Sequence, residues 1–146
     1  MSAEVATTGY SGTPLAQKLG LKDGQRVLFI ALPQELYELR VSRHCLEMAQ
    51  SGWQSFTDGE PGYDVVHGFT TSRAELEHAA KPLMDSIDRE GSIWISWPKK
   101  ASKMPTDITE DVIREVILPI GLVDVKVCAV DDIWSGLKLV IRKELR

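Results

Sequence analysis

The sequence predicts an α/β fold: a single three-layer domain whose mainly parallel sheet of about five to six strands ends in an antiparallel β-hairpin. Three observations lead to it. Short apolar runs alternate with segments of helical periodicity over most of the length. The last two runs, Leu122 to Val130 and Leu137 to Lys143, are separated only by Asp131-Asp132-Ile133-Trp134-Ser135-Gly136, short enough for a hairpin. Finally, 146 residues, 43% hydrophobic and 26% charged, are enough for one core and too few for two. Residues 1–9 are small and polar and read as a loose tail; residues 10–146 read as the domain.

Each element follows from its residues. Around Pro14, with Thr13 or Gly12 as cap, Leu15 and Leu19 share a face and Gly20 stops a short docking helix. After the Lys22-Asp23-Gly24 turn, residues 26–31 are almost wholly apolar, the mark of a strand covered on both faces. A helix is predicted from Pro33 to Met48 on Leu36, Leu39, Cys45 and Met48, with Val41 and Ser42 interrupting the pattern. Residues 51–62 are rich in turn formers, and Gly52 to Thr57 reads as a short edge strand or an ordered loop. Residues 64–69 form the next buried strand. Ser72-Arg73-Ala74-Glu75 has the spacing of a capping box, and Leu76, Ala79, Ala80, Leu83, Met84 and Ile87 continue it as one apolar stripe. Pro82 within that stripe predicts a kink or a break. Ser92 to Trp97 is a third core strand, and Asp107-Ile108-Thr109-Glu110 opens a helix that buries Val112, Ile113, Val116, Ile117 and Ile120.

Composition excludes several functions. A net charge of -4 and a pI near 5.4 give no general attraction to phosphate backbones, and no basic helical stripe or finger-like Cys/His spacing occurs, so no nucleic-acid partner is expected. No apolar stretch approaches the ~20 residues that span a bilayer, and Met1 to Gly9 lacks the features of a signal peptide, so no membrane is expected either. Cys45 and Cys128 lie far apart, and Cys128 sits in an apolar run; both read as reduced thiols in a cytoplasmic protein.

Three stretches carry a resemblance. Tyr10-Ser11-Gly12-Thr13-Pro14-Leu15, Ile95-Ser96-Trp97-Pro98-Lys99-Lys100 and Asp131-Asp132-Ile133-Trp134-Ser135-Gly136-Leu137-Lys138 look like the signature blocks of a bacterial family, domain of unknown function 3052, over residues 9–31 and 63–142. More distantly, the order of elements is similar to a Rossmann-like fold, the second half of a class I S-adenosylmethionine-dependent methyltransferase joined to its first strand. That resemblance implies a sheet in which residues 26–31 lie beside 64–69, then 91–97, with 137–143 inserted before 122–130. The chain departs from the family at the cofactor loop. There the backbone must turn tightly against the nucleoside, which calls for glycine, and the turn here reads Ile30-Ala31-Leu32-Pro33-Gln34-Glu35. Asp58 is the one weak candidate for the acid that would hold the ribose. No cofactor is expected on these grounds.

The candidate site lies where the central strand ends. Lys99 and Lys100 leave the carboxyl end of the 92–97 strand, the edge at which open α/β sheets bind ligands. Tyr10, Ser11 and Thr13 could bring hydroxyl donors to the same edge, making a pocket for a small anion; alternatively Trp97 and Pro98 cap the core and the lysines are solvated. Trp134, beside Ser135 and Lys138 at the hairpin, either stacks on a planar ligand or closes one end of the core. Asp131 and Asp132 read as turn punctuation, with no further ligands spaced for a metal. His44, His67 and His78 form no ligand pattern, and His67 reads as a core residue. Cys128, with Lys126 on its face, reads as a buried thiol and not a nucleophile.

The leading expectation from sequence is a non-catalytic binding or interaction module for a small anionic ligand or a protein partner. The alternatives are a small-molecule transferase, a degenerate methyltransferase-like enzyme using the same strand-end pocket, and a structural homodimer paired through an exposed hairpin strand.

Overall fold

The computed structural model describes residues 14–56 and 61–146. Arg26–Ile30 (β1) buries Val27 to Ile30 completely and pairs in parallel with Glu47–Ser51 (β2) on one side and Tyr63–Phe69 (β3) on the other. Ile87–Pro98 (β4) lies parallel to β3. Trp134–Ile141 (β6) runs antiparallel between β4 and Leu122–Ala129 (β5), so the order is β2-β1-β3-β4-β6-β5. This is the arrangement the methyltransferase resemblance implied, with the last strand inserted before the one that precedes it.

The pleat sends alternate side chains to opposite faces. On one face Leu28, Ile30, Val66, Ile93, Ile95 and Leu139 meet the helices Arg73–Ser86 (α2) and Glu110–Ile117 (α3) through Leu76, Leu83, Ile113 and Ile117. On the other, Val27, Phe29, Val65, Phe69 and Trp94 are covered by the short helix Leu15–Lys18 (α1), the turn after it and a 3-10 helix, Gln34–Val41. Trp94 is fully buried, and its indole N–H is satisfied by Leu19 O at 2.9 Å. No helix among the described residues is long and apolar enough to cross a membrane.

Three expectations are corrected. The helix expected from Pro33 to Met48 is instead the 3-10 helix followed by β2. Leu36 and Leu39 are its two buried residues, and their spacing of three suits a helix of three residues per turn. Ser42 then donates to Leu39 O and ends the turn. β2 escaped notice because it is an edge strand with no fully buried residue; its place is set by the ladder to β1 and by Arg26, which binds Glu47 at 2.8 Å. Of the kink or break expected at Pro82, the break does not occur: α2 runs through it, started by Ser72 Oγ, which accepts from Glu75 N. β4 also begins five residues before the expected Ser92, at Ile87.

Candidate functional site

β4 ends at the carboxyl edge of the sheet, and the residues that end it shape a groove. Pro98 has no N–H to continue a ladder; opposite Trp134 in the register with β6, it is the last residue of the strand. Lys99 N donates to Ile133 O at 2.8 Å, tying the next residue to the hairpin loop. The chain then makes one 3-10 turn, Lys100–Ser102, and leaves it through Lys103 in the left-handed region, φ 60°. Ser102 Oγ holds both ends of this turn, donating to Lys99 O and accepting from Met104 N.

The return path forms the far wall. Thr106 Oγ1 donates to Thr71 O at 2.8 Å, Asp107 Oδ1 accepts from Arg73 N at 2.7 Å, and buried Ile108 joins the core beneath. Thr109 caps α3 by accepting from Val112 N at 3.1 Å. The groove so formed, about 510 Å³, has Trp97, Pro98 and Ile108 among its apolar lining and Lys99, Lys100, Lys103, Thr106 and Thr109 among its polar lining. Its one carboxylate, Glu110, is engaged by Arg114, which also binds Asp111 and Asp124. None of the three lysines makes an ion pair with a carboxylate among the described residues. The arrangement can hold an anionic group over an apolar floor.

The expected site residues divide. Trp97, Lys99 and Lys100 share the groove. Trp134 and Ser135 lie at the same edge, their backbones opposite Pro98 and Trp97. The Trp134 indole, however, packs edge-on against Phe69 at 5.3 Å in the core of the other face, so it closes the core and does not line the groove. Tyr10, Ser11, Thr13 and Asp58 fall outside the described residues. Lys103, Thr106 and Thr109 were not expected; the signal for them was the K-K-A-S-K spacing and the hydroxyls before the helix.

The remaining candidates are structural. Asp131 Oδ1 accepts from the N–H groups of Ile133 and Trp134, folding the hairpin loop. His67 is buried among Phe29, Phe69 and Trp94, with Nε2 2.7 Å from Ser96 Oγ, and burial pushes its pKa down to about 3, so it is neutral. Burial raises the Cys128 thiol against the pull of Lys18 and Lys126, which keeps it protonated.

The strand order reverses at β1, and the crevice outside the ends of β1 and β3 is where a sheet of this type takes a nucleotide. Here Ala31 stands in the left-handed region at φ 58°, its N–H bound to Ser51 O, and Leu32 turns into the core. β2 ends in Gln50-Ser51, without an acid. Gly68 at the end of β3 is covered by the chain itself: ring atoms of Trp53 lie 2.6 Å from where a Cβ would stand, and the indole N–H donates to Phe69 O at 2.7 Å.

No protein-family model matches the chain, so the resemblance to domain of unknown function 3052 has no such match behind it, and no curated protein matches it in sequence. Solved structures do match. A TehB-like S-adenosylmethionine-dependent methyltransferase from Corynebacterium glutamicum aligns over 92% of this chain and 90% of its own, with 11% identity and a TM-score of 0.61. A methyltransferase of the same dependence from Aquifex aeolicus aligns over 88% of each chain, with 13% identity and a TM-score of 0.65. The likeness shows the fold. The described residues do not fit the cofactor in its usual cradle, since the glycine loop and the ribose acid are missing from them and Trp53 covers the switch-point glycine. The leading expectation, a non-catalytic binding module, is corrected by these matches: they are to methyltransferases, and the methyltransferase-like alternative is the one whose fold the chain has almost from end to end.

Proposed function

We propose that the protein is a small-molecule transferase of methyltransferase-like fold that takes an anionic substrate in the groove after β4. One observation carries this reading: Lys99, Lys100 and Lys103, unpaired with any described carboxylate, surround an apolar floor at the ligand-binding edge of a methyltransferase-type sheet. Trp97 and Ile108 offer a surface for the apolar body of the substrate, and the ammonium groups bind its carboxylate or phosphate. Holding that group by charge fixes the position and orientation of the substrate in the groove. No step is assigned to a methyl donor, because the described residues do not build its usual cradle. Free Cys45 and Cys128 suit a reducing, cytoplasmic setting. Membership of domain of unknown function 3052, read from the three sequence blocks, belongs to the same proposal and adds no chemistry of its own.

The test compares wild type with a Lys99→Ala/Lys100→Ala variant. Both are incubated with the small-molecule fraction of a cell extract, and consumption of anionic species is followed by mass spectrometry. Wild type is expected to convert at least one anion, the variant to convert it at least tenfold more slowly, and the two melting temperatures to agree within about a degree, since neither lysine makes an ion pair among the described residues and surface substitutions of this kind change stability little. Equal conversion by the two proteins refutes the site, and no conversion by wild type refutes the transferase.

A further inference from the structure

A second concentration of positive charge lies on the opposite face of the sheet, and the proposed activity does not use it. Lys126 of β5 and Lys138 of β6 are direct cross-strand neighbours. Like charges placed this way destabilise a sheet, and a chain with net charge -4 has no shortage of acids with which to avoid it. The turn after α1 adds more cations. Lys126 Nζ donates to Lys18 O at 3.1 Å, Lys18 Nζ donates to Ala129 O at 3.3 Å, and Lys138 Nζ stands 3.9 Å from where a Cβ on Gly20 would be. Lys22 follows on the same turn.

Lys126 has a structural task, holding a carbonyl of α1. Lys138 makes no hydrogen bond or ion pair with any described residue, and its half-buried ammonium still reaches solvent. Burial, and then the charges of Lys126 and Lys22, hold it below the ordinary lysine range. No described carboxylate pairs with Lys22, Lys126 or Lys138. Lys126 and Lys138 thus stand as cross-strand like charges with no described carboxylate between them, the condition under which a ligand supplies the missing charge.

We propose that Lys22, Lys126 and Lys138 form a second anion site, for a phosphate-type oxyanion, between the turn after α1 and the outer strands β5 and β6. A dianion answers several ammonium groups at once, and each charge-assisted bond is stronger than its neutral counterpart. The shared chemistry is the phosphoryl group, supplied either by free phosphate or by a phosphomonoester. The proposal is independent of the groove after β4.

Thermal unfolding at constant ionic strength tests it, with chloride exchanged for inorganic phosphate or for glycerol 3-phosphate. Wild type is expected to melt a few degrees higher in phosphate, with a saturating dependence on concentration, because a ligand that binds only the folded state stabilises it. In the Lys99→Ala/Lys100→Ala background, where the groove after β4 no longer answers phosphate, the shift is expected to remain, and adding Lys138→Gln is expected to raise melting in chloride, where it relieves repulsion, and to abolish the phosphate shift. A larger shift with glycerol 3-phosphate supports a phosphomonoester, and an equal one supports free phosphate. Lys126→Gln serves as a second variant should Lys138→Gln fail to fold. The site is refuted if phosphate does no more than matched chloride in the groove variant, or if its effect there survives Lys138→Gln.

Discussion

A proton on His67 has no charged partner to receive it. The ring stacks on Phe69 at 4.3 Å between Phe29 and Trp94, and burial alone lowers its pKa from 6.5 to about 3. Above pH 6.5 the ring is neutral in the folded and unfolded chain alike and stability does not depend on it. Below 6.5 only the unfolded chain takes up the proton, so this residue withdraws about 1.4 kcal/mol per pH unit down to about pH 3. The His67 ring signals in an NMR titration are therefore expected to stay unmoved from pH 8 to pH 5; a midpoint near 6.5 would show that the ring is not sealed in the core. Gly68, the next residue, is constrained from outside. A Cβ there meets the Trp53 ring at 2.6 and 2.7 Å, so Gly68→Ala forces the indole off Phe69 O. The expected cost is about 1–3 kcal/mol, typical of overpacking, read as a lower denaturant midpoint; an unchanged midpoint would mean that the indole moves freely.

Among the elements, α3 links stability to the groove. Its buried face, Ile113 and Ile117, attaches it to the sheet, while Thr109 both caps it and lines the groove. Thr109→Ala removes the cap bond to Val112 N and is expected to cost about 1 kcal/mol, a fall of about 4 °C in melting temperature for a domain of this size. Thr109→Ser keeps the acceptor and is expected to recover most of it; equal losses in the two variants would show that the methyl group, not the cap, matters. The elements with clear periodicity, α2 and α3, were legible because their apolar stripes and capping residues agree with each other. The 34–51 segment was not. Leu36 and Leu39 fit an α-helix as readily as a 3-10 turn, and β2 has no alternation to detect because it is half-buried at the sheet edge.

At the scale of the molecule, charge distribution matters more than its sum. The net charge of -4 argued against anionic macromolecules, yet lysines gather in the groove after β4 and on the β5–β6 face. Local fields of this kind attract small anions whatever the overall sign. The sequence by itself determined the alternation of elements, the buried strands, the hairpin and, through Trp97-Pro98-Lys99-Lys100, one wall of the candidate groove, because burial periodicity and turn chemistry are local properties. It could not say that Lys103, Thr106 and Thr109 complete that groove, that Trp134 points into the opposite core, or that Trp53 covers Gly68. Those facts depend on where a loop returns and which face of the sheet a side chain occupies. Only tertiary structure decided them, because the contacts involved join residues far apart in the chain, and no local pattern encodes their meeting.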